Sequence, residues 1–235
     1  MRIETYRFSI GRREPLRLAF LSDLHDTENE PILAALAQEK PRAVLIGGDL
    51  VHDQARYQRG LALLEALTPH YPVFCAIGNH EKHFGIRISW EISARGAILL
   101  DDSDREFEGI WLGGLSSGYL YDHRRSEKVT PAPNLGFLEK FSKREGFKLL
   151  LSHHPEYYPR YIQKLPIDLT LSGHAHGGQW RLFDRGIYAP GQGLFPKYTS
   201  GLHEGRLLVS RGLGNAYPIP RIGNPPELII IELGE

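Results

Sequence analysis

A single cysteine, Cys75, leaves no partner for an internal disulfide and too few thiols for a cysteine-built zinc site. No apolar run approaches the roughly 18 residues a membrane-spanning helix needs. The first twenty residues hold Arg2, Arg7, Arg12, Arg13 and Arg17 and no apolar stretch long enough for a signal-peptide core. Arg12-Arg13 has the look of a twin-arginine signal, but the apolar segment behind it is only Leu18 to Leu21 and runs into Ser22-Asp23. The arginines read as the solvated face of an N-terminal strand. A cytoplasmic location is expected, with peripheral contact to a membrane left open. An excess of charge is missing too: 28 basic and 28 acidic side chains cancel, so bulk nucleic acid is not an expected partner. With 41% hydrophobic and 24% charged residues, the composition excludes a disordered tail, a coiled coil and a collagen-like fibre. The 235 residues suffice for one domain over 1–235 with a sizeable core.

What the chain does have is 25 glycines and 16 prolines, hence many turns, and 11 histidines. Short apolar runs recur between polar loops. Leu16–Leu21, Ala43–Ile46 and Val73–Ile77 read as buried strands, alternating with helices over Pro31–Gln38, Tyr57–Leu67 and Ile86–Ala94. This alternation argues for α/β architecture with parallel pairing. The second half offers strands at Ile110–Leu115, Lys148–Leu151, Leu169–Leu171, Arg206–Ser210 and Leu228–Leu233, and a helix over Leu135–Phe141 with Asn134 as its N-cap. Ser116–Pro133 and Gly186–Thr199 read as long loops beside a site.

The chemistry lies where these strands end. Asp23-Leu24-His25 follows the first, Gly47-Gly48-Asp49 the second and Gly78-Asn79-His80-Glu81 the third. His153-His154-Pro155 and Gly173-His174-Ala175-His176-Gly177-Gly178 follow two later ones. Ligands of α/β sheets bind beyond the carboxyl ends of strands, so five such loops are expected to meet in one crevice. Asp and Asn oxygens mixed with imidazole nitrogens suit Mn, Fe, Zn or Co. Seven such residues exceed what one ion needs and match two divalent ions sharing a carboxylate, a pair that activates water and clamps a phosphoryl group.

The ordered set D-x-H, G-G-D, G-N-H-E, H-x-P and G-H-A-H-G-G-Q resembles the calcineurin-like metallophosphoesterase family. The remainder, with Leu194-Phe195-Pro196-Lys197-Tyr198, Val209-Ser210-Arg211-Gly212-Leu213-Gly214 and Asn224-Pro225-Pro226-Glu227, is similar to its bacterial YkuE/YaeI-like phosphodiesterase branch. The resemblance implies a four-layer α/β/β/α sandwich of two mixed sheets. It implies that Asp23, His25, Asp49 and His176 hold one metal and Asp49, Asn79, His153 and His174 a second, with Asp49 bridging. A hydroxide between the two ions would attack phosphorus in line, with His80 serving the leaving oxygen. Arg211 is a candidate phosphate contact, and His154 a candidate lining residue that otherwise reads, like His70, His83, His123 and His203, as a solvated or loop histidine. The implied substrate is a small phosphodiester or diphosphate, nucleotide-sugar lipids included. His52 stands where this branch often has a second acid.

Two other readings stay on the page. One is a non-catalytic, metal-bound interaction module of the same fold; such members usually lose His80 or several ligands. The other is a serine hydrolase, because Gly114-Leu115-Ser116-Ser117-Gly118 fits G-x-S-x-G and Asp168 and His174 follow in order. The segment after Gly118 lacks the apolar period of the helix an elbow requires. Cys75 reads as a small buried apolar residue, and Trp90, Trp111 and Trp180 as core or cleft wall.

Overall fold

A computed structural model describes residues 1–121, 130–183, 185–215 and 220–235. His123 and residues 122–129 of the first long loop lie outside them. Along the chain run β1 (Arg2–Ser9), β2 (Leu16–Leu21), α1 (Glu30–Glu39), β3 (Ala43–Ile46), α2 (Gln58–Leu67), β4 (Val73–Ala76), α3 (Asn79–Phe84) and α4 (Arg87–Ala94). Next come β5 (Ile98–Leu100), β6 (Ser103–Phe107), β7 (Ile110–Leu115), α5 (Leu135–Ser142), β8 (Lys148–Ser152), a π-helical turn (Tyr158–Ile162) and β9 (Leu169–Ser172). The short strands β10 (Arg181–Leu182), β11 (Arg185–Gly186), β12 (Tyr188–Ala189) and β13 (Gly193–Leu194) precede β14 (Gly201–His203), β15 (Leu207–Val209) and β16 (Glu227–Gly234).

The long strands form two six-stranded mixed sheets, ordered β1-β16-β2-β3-β4-β5 and β14-β15-β9-β8-β7-β6. Period-two alternation decides which face each residue covers. In β2, Leu18 and Phe20 enter the core between the sheets, while Ala19 and Leu21 face the layer containing α1, α2 and α4. In β8, Leu149 and Leu151 point inward and Leu150 points out to the layer of α5 and the π-helical turn. The result is the expected four-layer sandwich. Each Leu or Phe fully buried in it contributes about 1.5–3 kcal/mol, which fixes the register on which the site depends. Asn134 caps α5 as expected, its Oδ1 accepting from Phe137 N at 3.1 Å.

Four local expectations are revised. Gly186–Thr199 is not plain loop: β12 and β13 make a small hairpin in it, pairing Tyr188 with Leu194. Glycines flanking two-residue strands hide the alternating pattern that would have shown it. Residues 79–84 form α3, whose sequence NHEKHF has no apolar period. Trp90 is 68% and Trp180 40% exposed, so neither is core. His154 is not solvated; it is buried beside the site. Of the N-terminal arginines, Arg2 and Arg7 are exposed on β1, Arg7 pairing with Glu232 at 2.7 Å, and Arg13 is exposed, whereas Arg12 and Arg17 are half-buried beyond that strand. Cys75 is buried in β4, where burial pushes its thiol up. No helix of the described residues is long and apolar enough to cross a membrane.

Candidate metal centre

The parallel register sets the strand ends level. Leu21 pairs with Ile46, and Ile46 with Cys75, so the loops after β2, β3 and β4 leave one edge together. Leu151 opposite Leu171 does the same for β8 and β9 in the other sheet. The loops then bond to each other: Asp23 N donates to Gly48 O at 3.1 Å and His25 N to Asp49 O at 3.1 Å. Two glycines permit this closeness. A Cβ on Gly173 would run into Ser22 Oγ and Asp23 Oδ2, and one on Gly78 into Asp49 Oδ1. Asp23, His25, Asp49, His174 and His176 all adopt positive φ, between 46° and 64°. That region is uncommon for residues with a Cβ, and its gathering at one place is typical of functional loops.

The side chains so held meet in a buried cluster. His25 Nε2 lies 3.0 Å from His176 Nε2, and His176 Nε2 lies 3.4 Å from Asp23 Oδ1. Asp49 Oδ2 sits 3.1 Å from His153 Nε2 and 3.7 Å from His25 Nε2, between both groups. His153 Nε2 is also 3.9 Å from Asp23 Oδ1. Donor atoms of Asp23, His25 and His176, and separately of Asp49, His153 and His174, lie within 4.8 Å of one another and could hold an ion each. Ligands about 2.1 Å from a shared cation lie about 3 Å apart at right angles and about 4 Å apart across it, a range that takes in the separations of 3.0–3.9 Å here. One orphaned atom points the same way: Asn79 Oδ1 is buried without a hydrogen-bond partner. Asn79 stands between Gly78 and His80, both packed on Asp49. A hard or borderline cation fits this donor set.

Around the cluster, backbone and carboxylate groups fix orientation. His153 Nδ1 donates to Gly47 O at 2.9 Å, which leaves Nε2 for the centre. His80 Nδ1 donates to His52 O, so its Nε2 faces inward, 3.9 Å from Asp49 Oδ2. The buried Glu81 takes the N–H groups of Asp49 and Gly78 on Oε2, each at 2.8 Å, and that of Val51 on Oε1 at 3.2 Å. One carboxylate thereby ties the loops after β3 and β4. Asn224 Nδ2 donates to His176 O at 2.7 Å and Gln179 O at 3.2 Å, pinning the loop after β9.

Electrostatics follow from burial. Desolvation pushes His25 and His174 well below the usual imidazole range, and His176 down to about 4 with Arg221 adding to the effect. These rings are neutral at pH 7 and offer lone pairs. Burial alone would raise the Asp49 carboxyl, but His153, His80 and His25 hold it well below the carboxylate range. Burial likewise opposes charge on His153, yet Asp49 pushes it up to about 10. A divalent cation held here would take the place of the proton that this pair otherwise shares.

The expected residues Asp23, His25, Asp49, His80, His153, His174 and His176 therefore come together, with Asn79 beside His80 in the chain. His154 joins them from behind: its ring lies 4.3 Å from that of His174, centroid to centroid, in T-shaped contact. Arg211 does not: its backbone N–H and its Nε face Glu227, the latter at 3.7 Å from Oε1. The arginine against the centre is Arg221, with Nη2 3.1 Å from His176 Nδ1. Sequence reasoning assigned no role to Arg221, Glu81 or Asn224. Only Glu81 carried a signal, an acid three residues after Gly78 in the pattern of half a capping box.

The serine reading finds a different serine. Ser116 Oγ bonds Asp101, whereas Ser117 Oγ lies 2.8 Å from His154 Nε2, with Glu156 Oε1 3.5 Å from His154 Nδ1. Yet Ser117 N donates to Ile77 O and Gly118 N to Tyr157 Oη, so neither amide is free to receive an oxyanion.

Comparison with known proteins agrees with this geometry. A model of the family described as "Calcineurin-like phosphoesterase" matches residues 16–178, and the chain belongs to that family. Phosphodiesterase YaeI of Escherichia coli (strain K12) is 28% identical over 242 residues, spanning 93% of this chain and 82% of that one. An uncharacterized metallophosphoesterase, YkuE of Bacillus subtilis (strain 168), is 27% identical over 92% of this chain and 76% of its own. A Helicobacter pylori metallophosphoesterase, also uncharacterized, is 30% identical; this chain spans 60% of its length. Among solved structures, the phosphopantetheinyl hydrolase PptH of Mycobacterium tuberculosis shares the fold, with a TM-score of 0.52 and 12% identity over 85% of this chain and 89% of that one. The protein is thus a metallophosphoesterase.

Proposed function

We propose that the chain is a dinuclear-metal-dependent phosphohydrolase whose substrates are phosphodiesters or diphosphates. The observation that carries this is the pair of adjoining donor groups around Asp49, with the buried Asn79 Oδ1 left without a partner. Asp23, His25, Asp49 and His176 would hold one divalent cation, and Asp49, Asn79, His153 and His174 the other. Such cations, when bound, activate water and neutralise the phosphoryl oxygens. Mn, Fe, Zn and Co all suit the mixed oxygen and nitrogen donors.

The chain's own residues supply the rest. Asp49 contributes charge from between the two groups, held in place through its backbone by Glu81. His80 keeps one proton on Nδ1 at the His52 carbonyl, so its Nε2 faces the centre and, once it has taken a second proton from solvent, hands that proton to the leaving oxygen. Its backbone N–H donates to Asp49 Oδ1 at 2.9 Å, coupling the acid's position to the shared carboxylate. The name of the YaeI relative supports the diester preference.

Hydrolysis of bis-p-nitrophenyl phosphate with added Mn²⁺ tests the proposal. Turnover should vanish with chelator and fall about 10²- to 10⁴-fold in His80→Ala. Metal binding without turnover on any phosphodiester or diphosphate would favour the interaction module, and chelator-insensitive esterase activity the serine hydrolase.

A further inference from the structure

Half of the large apolar side chains left exposed among the described residues gather on one surface. Trp180, Leu182, Phe183, Leu194, Phe195 and Ile222 are 40% to 91% exposed, and Tyr188 lies among them. Backbone bonds set them side by side: Arg181 N donates to Ile222 O, Ile187 N to Trp180 O and Phe195 N to Ile187 O, each at 2.9 Å. At its end the β10–β11 hairpin carries Leu182 opposite Arg185, with Phe183 next, the most exposed of all at 91%. This ribbon borders the metal centre. It starts at the Gly177-Gly178 turn behind His176, and Ile222 follows Arg221, whose Nη2 is 3.1 Å from His176 Nδ1.

Contiguous exposed apolar surface on a folded chain marks a docking site. Charge decides the occupant. The stretches 177–203 and 211–226 that build the ribbon hold five basic side chains and one acid, Asp184, although the whole chain balances 28 against 28. Arg185 and Lys197 are exposed, Lys197 pairing with Glu204 at 2.9 Å. A second copy docked about a two-fold axis would set these charges against their own copies. An anionic bilayer instead takes the basic groups at its headgroups and the rings of Trp180 and Phe183 at the boundary with the acyl chains.

Resting on the phosphodiester reading above, we propose that the ribbon docks on an anionic lipid bilayer and brings the mouth of the metal centre to phosphodiesters presented at its surface. The docking itself uses no metal.

Co-sedimentation of the full chain with vesicles tests this. Mixed phosphatidylglycerol and phosphatidylcholine vesicles should pellet the protein, in chelator as in Mn²⁺, and phosphatidylcholine alone should pellet it less. Leu182→Ser with Phe183→Ser should weaken the partition at least about tenfold, the scale of burying one such side chain. Arg185→Gln should weaken it about fivefold, on the anionic vesicles alone. These variants change exposed side chains, so turnover of soluble bis-p-nitrophenyl phosphate should stay at the wild-type rate. Turnover of a p-nitrophenyl phosphodiester carried on a diacylglycerol in the vesicle should fall with the partition. Wild type left in the supernatant, or the double variant pelleting like wild type, would overturn the docking. A wild-type dimer in sedimentation velocity that the double variant dissociates would also overturn it, giving the surface to a second copy. Vesicle binding without hydrolysis of either phosphodiester at any Mn²⁺ concentration would instead overturn the dinuclear reading and leave the docking standing.

Discussion

The two sheets contribute unlike halves of the centre. Loops after β2, β3 and β4 bring both carboxylates, an amide oxygen and two imidazoles: Asp23, Asp49, Asn79, His25 and His80. Loops after β8 and β9 bring imidazoles alone to the cluster, from His153, His174 and His176, with the nearest acid, Glu156, standing behind them. Neither half is comfortable by itself. Two buried carboxylates repel, and buried neutral rings lose hydration with nothing to bind. Packing one sheet on the other brings the halves within 3.1–3.9 Å and gives each what it lacks. Catalytic competence in this fold is therefore a property of the inter-sheet core as much as of the loops.

The comparison can be broken from either side, and the largest effect should come from the residue between the halves. Asp49→Ala should abolish turnover and both Mn²⁺ equivalents together, while His153→Ala should remove one; titration of each variant checks this. His80→Ala should follow, losing about 10²- to 10⁴-fold in kcat with both equivalents retained.

Glu81→Gln puts an amide where three backbone N–H groups converge and should cost about 1–3 kcal/mol. At about 2–4 °C per kcal/mol for a chain of this size, that reads as a clear drop in melting temperature. Next in size is a pH effect on the metal-free protein. His25, His174 and His176 have folded-state values below the ordinary 6.5, so the unfolded chain binds more protons and stability falls as pH drops from 6.5 toward 4. His153, raised to about 10, contributes stability that is complete below 6.5 and lost as pH rises toward 10. Melting temperatures in chelator should fall on both sides of neutrality, and His153→Gln should remove the alkaline decline alone. The smallest effect is expected of Ser117→Ala, since its amides are engaged elsewhere. A loss of turnover as large as that of His80→Ala would revive the serine reading.

The residues of the centre were legible because each follows an apolar strand, and Asp49, Asn79, His174 and His176 stand next to glycine, a local signal that survives in sequence. The sheets were legible from strand runs and period-two alternation. Arg221 and Asn224 were not, because their roles exist only once a distant loop folds back on Gly177 and His176. Arg211 looked apt by its glycine-rich surroundings, but the buried Glu227 opposite it claims the side chain. α3 escaped because its helix is held by Glu81 reaching back to Gly78 rather than by an apolar face. The pairing of β1 with β16, first strand with last, leaves no trace in either segment.

The unusual torsions at Asp23, His25, Asp49, His174 and His176 store on the order of 1–3 kcal/mol apiece. Glycine at any of them would relax the chain and harden the fold while emptying it of chemistry. Heat resistance and turnover thus pull against each other at the same five codons, and variants selected for survival at high temperature alone should drift toward silence there.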